Sequence, residues 1–476
     1  MSAMLKIPLD RFFLHEEGIA IYQSAYSIYN VFLAICVTGI PIALSSLVAK
    51  SDDETAVSLC KSTFISVTAF TSLCAVLLIA FSSPLACLLS GGDDPLAQPA
   101  LILLSLALPA MGVISSRRGY FQGKSHMTPS AVSQLAESFI KVALGIGLCA
   151  LCLKWGISYG AAGAIGGVTL GALCAALVLE IFYRKTRKAD ASANFNNAIK
   201  VIRLSVPMTL GAFAFTAVML TDSLTVPKIL ASCGVEASAR LKMFGYLTRA
   251  NTVYNLPATV ITAFTASAVP SVATALAAKN SDKVSENVCK VIKLIFLVSV
   301  PAMLGMILFS KEILVLLYSS SAHWQLLSLA GVMTLIMPYI QTTTAMLQTF
   351  GVVWMPIAVS MAGVAVKGIL NFFLIKQFGV EGAPLATVAA FLAVLVINSV
   401  LLAKRVSLKG IGKTLLKIVV CAIIACAGAK GIYVIKQSTL MLMLAVAFAG
   451  IAYVAGIVLT GCIKREEFSS KQKDVE

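Results

Sequence analysis

Charge is what this sequence has least of. Asp, Glu, Lys and Arg make up 12% of 476 residues, about half the usual share of a soluble domain. So little charge cannot cover a water-facing surface of this size. A soluble globule, a disordered chain, a coiled coil and a DNA-binding array are therefore excluded. Histidine is nearly absent as well: His15, His126 and His323 are the only three, and none stands with a partner suited to hydrolytic or metal chemistry. Nearly all of the twelve cysteines lie singly in or beside apolar runs. Cys149-Ala-Leu-Cys152 has the spacing of a redox motif but sits inside an apolar run, where small packing residues are the plainer reading. Gly412-Lys413-Thr414 resembles the tail of a phosphate-binding loop, yet the required upstream glycine position is Ser407. No enzyme, cofactor or metal is expected. Energy for any transport would come from a sodium or proton gradient, the membrane potential or the substrate's own gradient.

Apolar residues are abundant, at 59% with a mean hydropathy of +0.92. The runs are near the ~20 residues that a helical bilayer span needs. They are too uniformly apolar for the alternating strands of a barrel. The fold class is an all-α polytopic membrane protein. Thirteen spans are predicted, over 19–49, 62–90, 97–116, 128–153, 157–183, 201–226, 246–278, 288–310, 323–350, 352–375, 381–403, 414–434 and 438–462. The connections are too short for a soluble catalytic domain. The net charge of +16 then reflects cytoplasmic loops facing anionic phospholipids rather than nucleic acid. Taking alternate loops, the side that holds Lys50, Arg117, Arg118, Lys188 and Lys404 carries about three times as many Lys and Arg as the other. That side, with the C-terminus, is expected to be cytoplasmic.

Internal repeats divide the chain. Pro41, Leu47, Ala49, Lys50, Cys60 and Lys61 recur at one constant offset as Pro270, Leu276, Ala278, Lys279, Cys289 and Lys290. Pro129-Ser-Ala-Val-Ser133 matches Pro356-Ile-Ala-Val-Ser360, and Tyr159-Gly-Ala-Ala-Gly-Ala164 matches Phe378-Gly-Val-Glu-Gly-Ala383. Ordered matches over most of the chain indicate two homologous halves. In this frame Lys6-Ile-Pro-Leu9 lines up with the end of the sixth span. The first helix of a six-plus-six-plus-two design is therefore expected to be missing upstream of Met1, giving fourteen spans with it. The expected organisation is an N-lobe at 1–184, a basic cytoplasmic linker at 185–200, a C-lobe at 201–405, two C-terminal helices at 406–463 and a cytoplasmic tail at 464–476.

Ionisable residues inside spans are costly unless paired or hydrated, so they are the candidate site. Glu137 and Lys141 lie on one face of the fourth span and could neutralise each other. Lys367 and Asn371 hold nearly the same place in the repeat-related tenth span, where Lys367 has no acid within a turn of its own helix. Arg249 begins the seventh span, and Asp222 lies near the end of the sixth. A hydrated cavity with a cationic bias is the reading that uses them all, and it suits an anionic, phosphate-bearing ligand. Its alternative is a self-paired Glu137–Lys141 with a snorkelling Arg249. Gly163, Gly167 and Gly171 read as close helix packing. Pro41, Pro129, Pro257, Pro270 and Pro356 are candidate hinges or inert kinks.

The segments Lys6-Ile-Pro-Leu-Asp-Arg11, Glu17-Gly-Ile-Ala-Ile-Tyr-Gln23, Gly39-Ile-Pro-Ile-Ala-Leu-Ser-Ser-Leu-Val-Ala49 and Arg118-Gly-Tyr-Phe-Gln-Gly123 with Pro129 resemble the polysaccharide-export and SpoVB/YtgP/MurJ branch of the MOP flippase superfamily. That superfamily also contains the MATE drug exporters. Asp222 with Val226-Pro227, and Asn255-Leu-Pro257, fit the same pattern. The arginine pair that MurJ proteins carry in helix two falls near Ser27 and Ile28, and Arg249 lies within a turn of their helix-eight arginine. The resemblance implies a two-lobe bundle in the bacterial inner membrane. It implies alternating-access flipping of a polyprenyl-pyrophosphate-linked wall precursor, chiefly lipid II, with the last two spans lining a groove for the lipid tail. Lys6, Arg11, Gln23, Lys141, Arg249, Lys367 and Asn371 would meet the substrate, and Glu137 and Asp222 would be the cavity carboxylates. Wall-synthesis enzymes are candidate partners. Two alternatives stay open: a MATE-type exporter of cations driven by protons or sodium, and a non-transporting scaffold for wall-synthesis enzymes.

Overall fold

The computed structural model describes residues 2–92, 94–187, 191–408 and 410–462, and within them no side chains at 2–4, 263–268 and 439. The expected tail at 464–476 and Lys188 of the expected linker lie outside the described residues. Among the described residues every regular element is helical, with no strand. Ten stretches are long and apolar enough to cross a membrane, or eleven if a pair bent by 41° counts as one span. This is an all-α, multi-pass membrane protein. The predicted spans 352–375 and 381–403 fall together in one 50-residue stretch, Trp354–Ala403.

The chain divides into two compact units. The first comprises 1–248 and 360–387, and the second 249–359 and 388–476. In the first unit α1 (Ser2–Leu9), α2 (His15–Phe32) and α3 (Ile40–Val48) are joined by two π-helical stretches, Asp10–Leu14 and Leu33–Gly39. Then come α4 (Asp53–Ala80), α5 (Ser82–Ser90), α6 (Gln98–Ser105), α7 (Leu108–Gly123), α8 (Met127–Cys152), α9 (Ile157–Thr186) and α10 (Phe195–Ser232). The helix α11 (Ala237–Ala277) carries the chain from the first unit into the second. The second unit continues with α12 (Ser281–Leu308), α13 (Ser310–Tyr318), α14 (Trp324–Ala330) and α15 (Met333–Thr349). Next, α16 (Trp354–Phe378) returns to the first unit, α17 (Gly382–Ala403) leaves it, and α18 (Ile411–Ile435) and α19 (Thr439–Leu459) end the second.

The glycine series of α9 does what its spacing implies. A Cβ at Gly163 would stand 2.5 Å from the carbonyl of Leu148 on α8, and one at Gly171 would stand 2.8 Å from that of Glu137. A Cβ at Gly167 would collide with Gly145. Only glycine lets the two backbones approach this closely. The contact fixes the turn of α8 that carries Glu137 and Lys141.

Three of the candidate hinge prolines, Pro41, Pro129 and Pro356, lie within the first three residues of α3, α8 and α16. A missing N–H costs least in a first turn. Pro41 also follows a π-helical stretch, whose widened turn accommodates a break in the ladder. Pro257 and Pro270 are interior to α11, where each removes a backbone bond.

In the second unit Tyr453 of α19 donates its hydroxyl to the Leu297 carbonyl of α12 at 2.7 Å. Lys430 of α18 pairs with Glu312 of α13 at 2.9 Å. The C-terminal helices are thus tied to α12 and α13 by polar contacts as well as by an apolar core around Ile418, Ala422 and Ile457.

Candidate functional site: two lysines on a tyrosine face

α2 places Tyr22, Tyr26 and Tyr29 on one side, at spacings of four and three residues that return to the same face. The Tyr22 and Tyr26 rings stack at 5.4 Å, and Tyr29 follows at 5.6 Å from Tyr26. Two ammonium groups converge on the middle ring. Lys141 of α8 donates to the Tyr26 hydroxyl at 2.7 Å and lies 4.6 Å from the ring centroid. Lys6 of α1 lies 5.2 Å from the same centroid and donates to the Gln23 side-chain carbonyl at 2.6 Å. Among the described residues neither lysine forms an ion pair. The fully buried Tyr22 hydroxyl has no hydrogen-bond partner there. Two cations on one ring, without a carboxylate, form a site with positive charge to spare. Aromatic faces offset part of that cost.

The alternative reading, a self-paired Glu137 and Lys141, does not hold. Glu137 instead accepts from Arg118 of α7 at 2.9 Å, while the Arg118 Nε reaches Ser133. Arg117 and Arg118 lie within α7 and not in the loop that the span boundaries predict. Both are buried on α7, at 5% and 6% exposure. Arg117 pairs with Glu180 of α9 at 2.9 Å and lies 3.8 Å from the Tyr183 ring centroid. A local signal existed in the sequence. Glu137 and Glu180 are acids within apolar runs, and each asks for a cation, which the adjacent arginines supply.

Lys367 is fully buried and does find an acid, on another helix. Its ammonium lies 2.8 Å from Asp222 of α10 and donates to the Val218 carbonyl, also at 2.8 Å. Asn371 completes the network, donating to Asp222 at 3.2 Å and to the Thr225 hydroxyl at 2.9 Å. The absence of an acid on its own helix said nothing about α10. Arg249 is buried in the second unit with its guanidinium 5.1 Å from the Tyr318 ring centroid. Arg11 is exposed beside the Phe12 ring. The candidate residues thus separate. Lys6, Gln23 and Lys141 meet at Tyr26; Lys367, Asn371 and Asp222 form a separate buried network; Glu137 belongs to Arg118.

Apolar spanning helices, a tight glycine seam and a few charges buried within them define a multi-pass, all-α membrane protein. Solved structures share this fold. One described as lipid II flippase MurJ in an inward closed conformation superimposes with a TM-score of 0.76 at 14% identity, over 96% of each chain. An inward-facing MATE multidrug transporter of the MOP superfamily gives 0.70 at 16% identity, over 87% of this chain and 95% of that one. In sequence, the chain is 27% identical to lipid II flippase MurJ of Bacillus subtilis over 392 residues, 75% of this chain and 71% of the relative. Residues 1–276 match the model for the polysaccharide biosynthesis protein family. The chain belongs to that family.

Proposed function

We propose that the protein flips a polyprenyl-pyrophosphate-linked saccharide, lipid II first among candidates, across the bacterial inner membrane by alternating access. The observation that carries this reading is the pair of lysines, Lys6 and Lys141, sharing Tyr26 without a carboxylate. A pyrophosphate brings about two to three negative charges and accepts charge-assisted hydrogen bonds from ammonium groups. Gln23, which accepts from Lys6, and the unpartnered Tyr22 hydroxyl are polar groups of the same helix, suited to its oxygens. Arg11 is proposed as an outlying contact for the headgroup, and Arg249 as a substrate-binding residue of the second unit. The lobes 1–184 and 201–405 are the proposed moving parts, and the C-terminus is placed in the cytoplasm by the loop charges. A sodium or proton gradient, or the membrane potential, would drive the cycle.

A cation exporter needs spare carboxylates. Glu137 and Asp222 are each engaged with a basic residue, which speaks against that reading. Wall-synthesis enzymes as partners belong to the scaffold reading, in which the lysines carry no ligand.

Binding to the purified full-length protein separates the three. With lipid II, undecaprenyl phosphate and ethidium as probes, Lys6→Ala with Lys141→Ala should weaken lipid II binding by about 10–100-fold, equivalent to roughly 1.4–2.8 kcal/mol. Ethidium binding abolished by Glu137→Gln, with lipid II affinity unchanged in the lysine variants, would replace the flippase by the exporter. No binding of any probe, with unaltered wall synthesis in cells carrying the variants, would favour the scaffold.

A further inference from the structure

The ends of four helices form a basic pocket that the tyrosine–lysine site does not use. It has a volume of about 450 Å³ and is lined by Lys124, Lys185, Arg187, His126, Asp53 and Tyr120, among others. Its level in the membrane follows from the spans. Asp53 is the first residue of one apolar stretch, His126 immediately precedes another, and a third ends at Thr186, which also lines the pocket. All three stretches stop at this pocket, so it lies where hydrocarbon gives way to water.

The floor is aromatic. Tyr120 is buried and meets Tyr183 edge-on at 5.2 Å. Tyr183 in turn carries the guanidinium of Arg117, already neutralised by Glu180. The walls are cationic. Lys124 pairs with Asp53 at 2.6 Å, and Asp53 is the one carboxylate among the described lining residues, against three basic side chains. Basic side chains therefore outnumber acidic ones among the described lining residues, around a recess with room for a small anion and with an aromatic base of the kind found at headgroup level.

We propose that this pocket binds a phosphate-bearing anion, either the headgroup phosphate of an anionic phospholipid or a soluble phosphate. Basic recesses between helices at a membrane surface have the charge and depth for such a group. The ligand would tie the α7–α8 turn, through Lys124, to the end of α9, through Lys185 and Arg187. Asp53 would compete with it for Lys124.

The test uses the full-length protein in detergent, with dioleoylphosphatidylglycerol, dioleoylphosphatidylcholine and inorganic phosphate as probes. Lipid binding is read by native mass spectrometry and phosphate binding by calorimetry. The expected result is a preference for the anionic lipid or measurable phosphate binding, lowered roughly 10–100-fold in the triple variant Lys124→Gln, Lys185→Gln, Arg187→Gln. Lipid selectivity that millimolar phosphate does not displace assigns the headgroup. Phosphate binding lost in the triple variant assigns the soluble ion. Asp53→Asn should tighten either ligand by about 3–10-fold as the competing carboxylate goes, a gain that misfolding cannot imitate. The proposal is overturned if the triple variant binds both probes as the parent does, or if Asp53→Asn leaves affinity unchanged or weaker.

Discussion

The cost of a buried charge depends on what it faces, and the lysines of this protein show two solutions. Lys367 is neutralised within the fold by Asp222. Breaking that pair leaves an ion without its counterion in low dielectric. Asp222→Asn should therefore lower stability by about 3–5 kcal/mol, read as a drop in thermal midpoint in detergent. Replacing both members, with Asp222→Leu and Lys367→Met, should recover most of the loss, because an apolar pair of similar size restores packing without charge. Failure of the double variant to recover would mean that the Val218 carbonyl and Asn371 depend on the ion pair for more than neutrality. Lys6 and Lys141 have no such partner among the described residues, only aromatic faces and single polar acceptors. Their alanine variants should cost little stability while weakening an anionic ligand. Measuring thermal midpoint and lipid II affinity on the same samples checks the distinction, and a large stability loss for Lys141→Ala with unchanged affinity would defeat it.

At the scale of the helix, the seam between α8 and α9 was legible in the sequence because glycine at intervals of four has one main physical use. The expectation for Gly167 is specific. Gly167→Leu must push the two backbones apart, at about 1–3 kcal/mol, and would move Lys141 away from Tyr26. Gly147 of α8 has open space around it, with nothing within 4 Å of where a methyl would stand. Gly147→Ala should then be neutral or stabilise by up to about 1 kcal/mol through helix propensity. A thermal-melt series on the two variants tests the pair together. The apolar runs were also readable, since a helix in lipid must satisfy its own backbone. What local pattern did not reveal was pairing across helices. Glu137 is four residues from Lys141, and spacing alone favours that contact, yet α7 brings Arg118 to the carboxylate instead. Asp222 and Lys367 are on α10 and α16, so no window of one helix could show them as partners. Lys6 with Gln23 lay close enough in sequence, but the meeting with Lys141 at one ring needed the fold.

For the molecule as a whole, the loop charges make a directional prediction. With the native cysteines removed, a cysteine at the exposed position Asp52 should resist a membrane-impermeant maleimide in intact cells and react after permeabilisation. One at the exposed position Lys436 should react from outside. The reverse pattern would invert the topology. The first compact unit also has a property that matters before the protein is complete, because its parts are far apart in the chain. Asn371 and Asp222 hydrogen-bond across 149 residues. A ribosome working at about 5–20 residues per second takes roughly 7–30 s to cover that distance. For nearly all of that interval Asp222 has been synthesised and Lys367 has not. Nascent α10 must therefore wait with an acidic side chain protonated, hydrated at a membrane edge, or sheltered by another protein. Biogenesis of this unit is thus obliged to be late and non-vectorial: its N-terminal helices are inserted early but are finished only when α16 arrives.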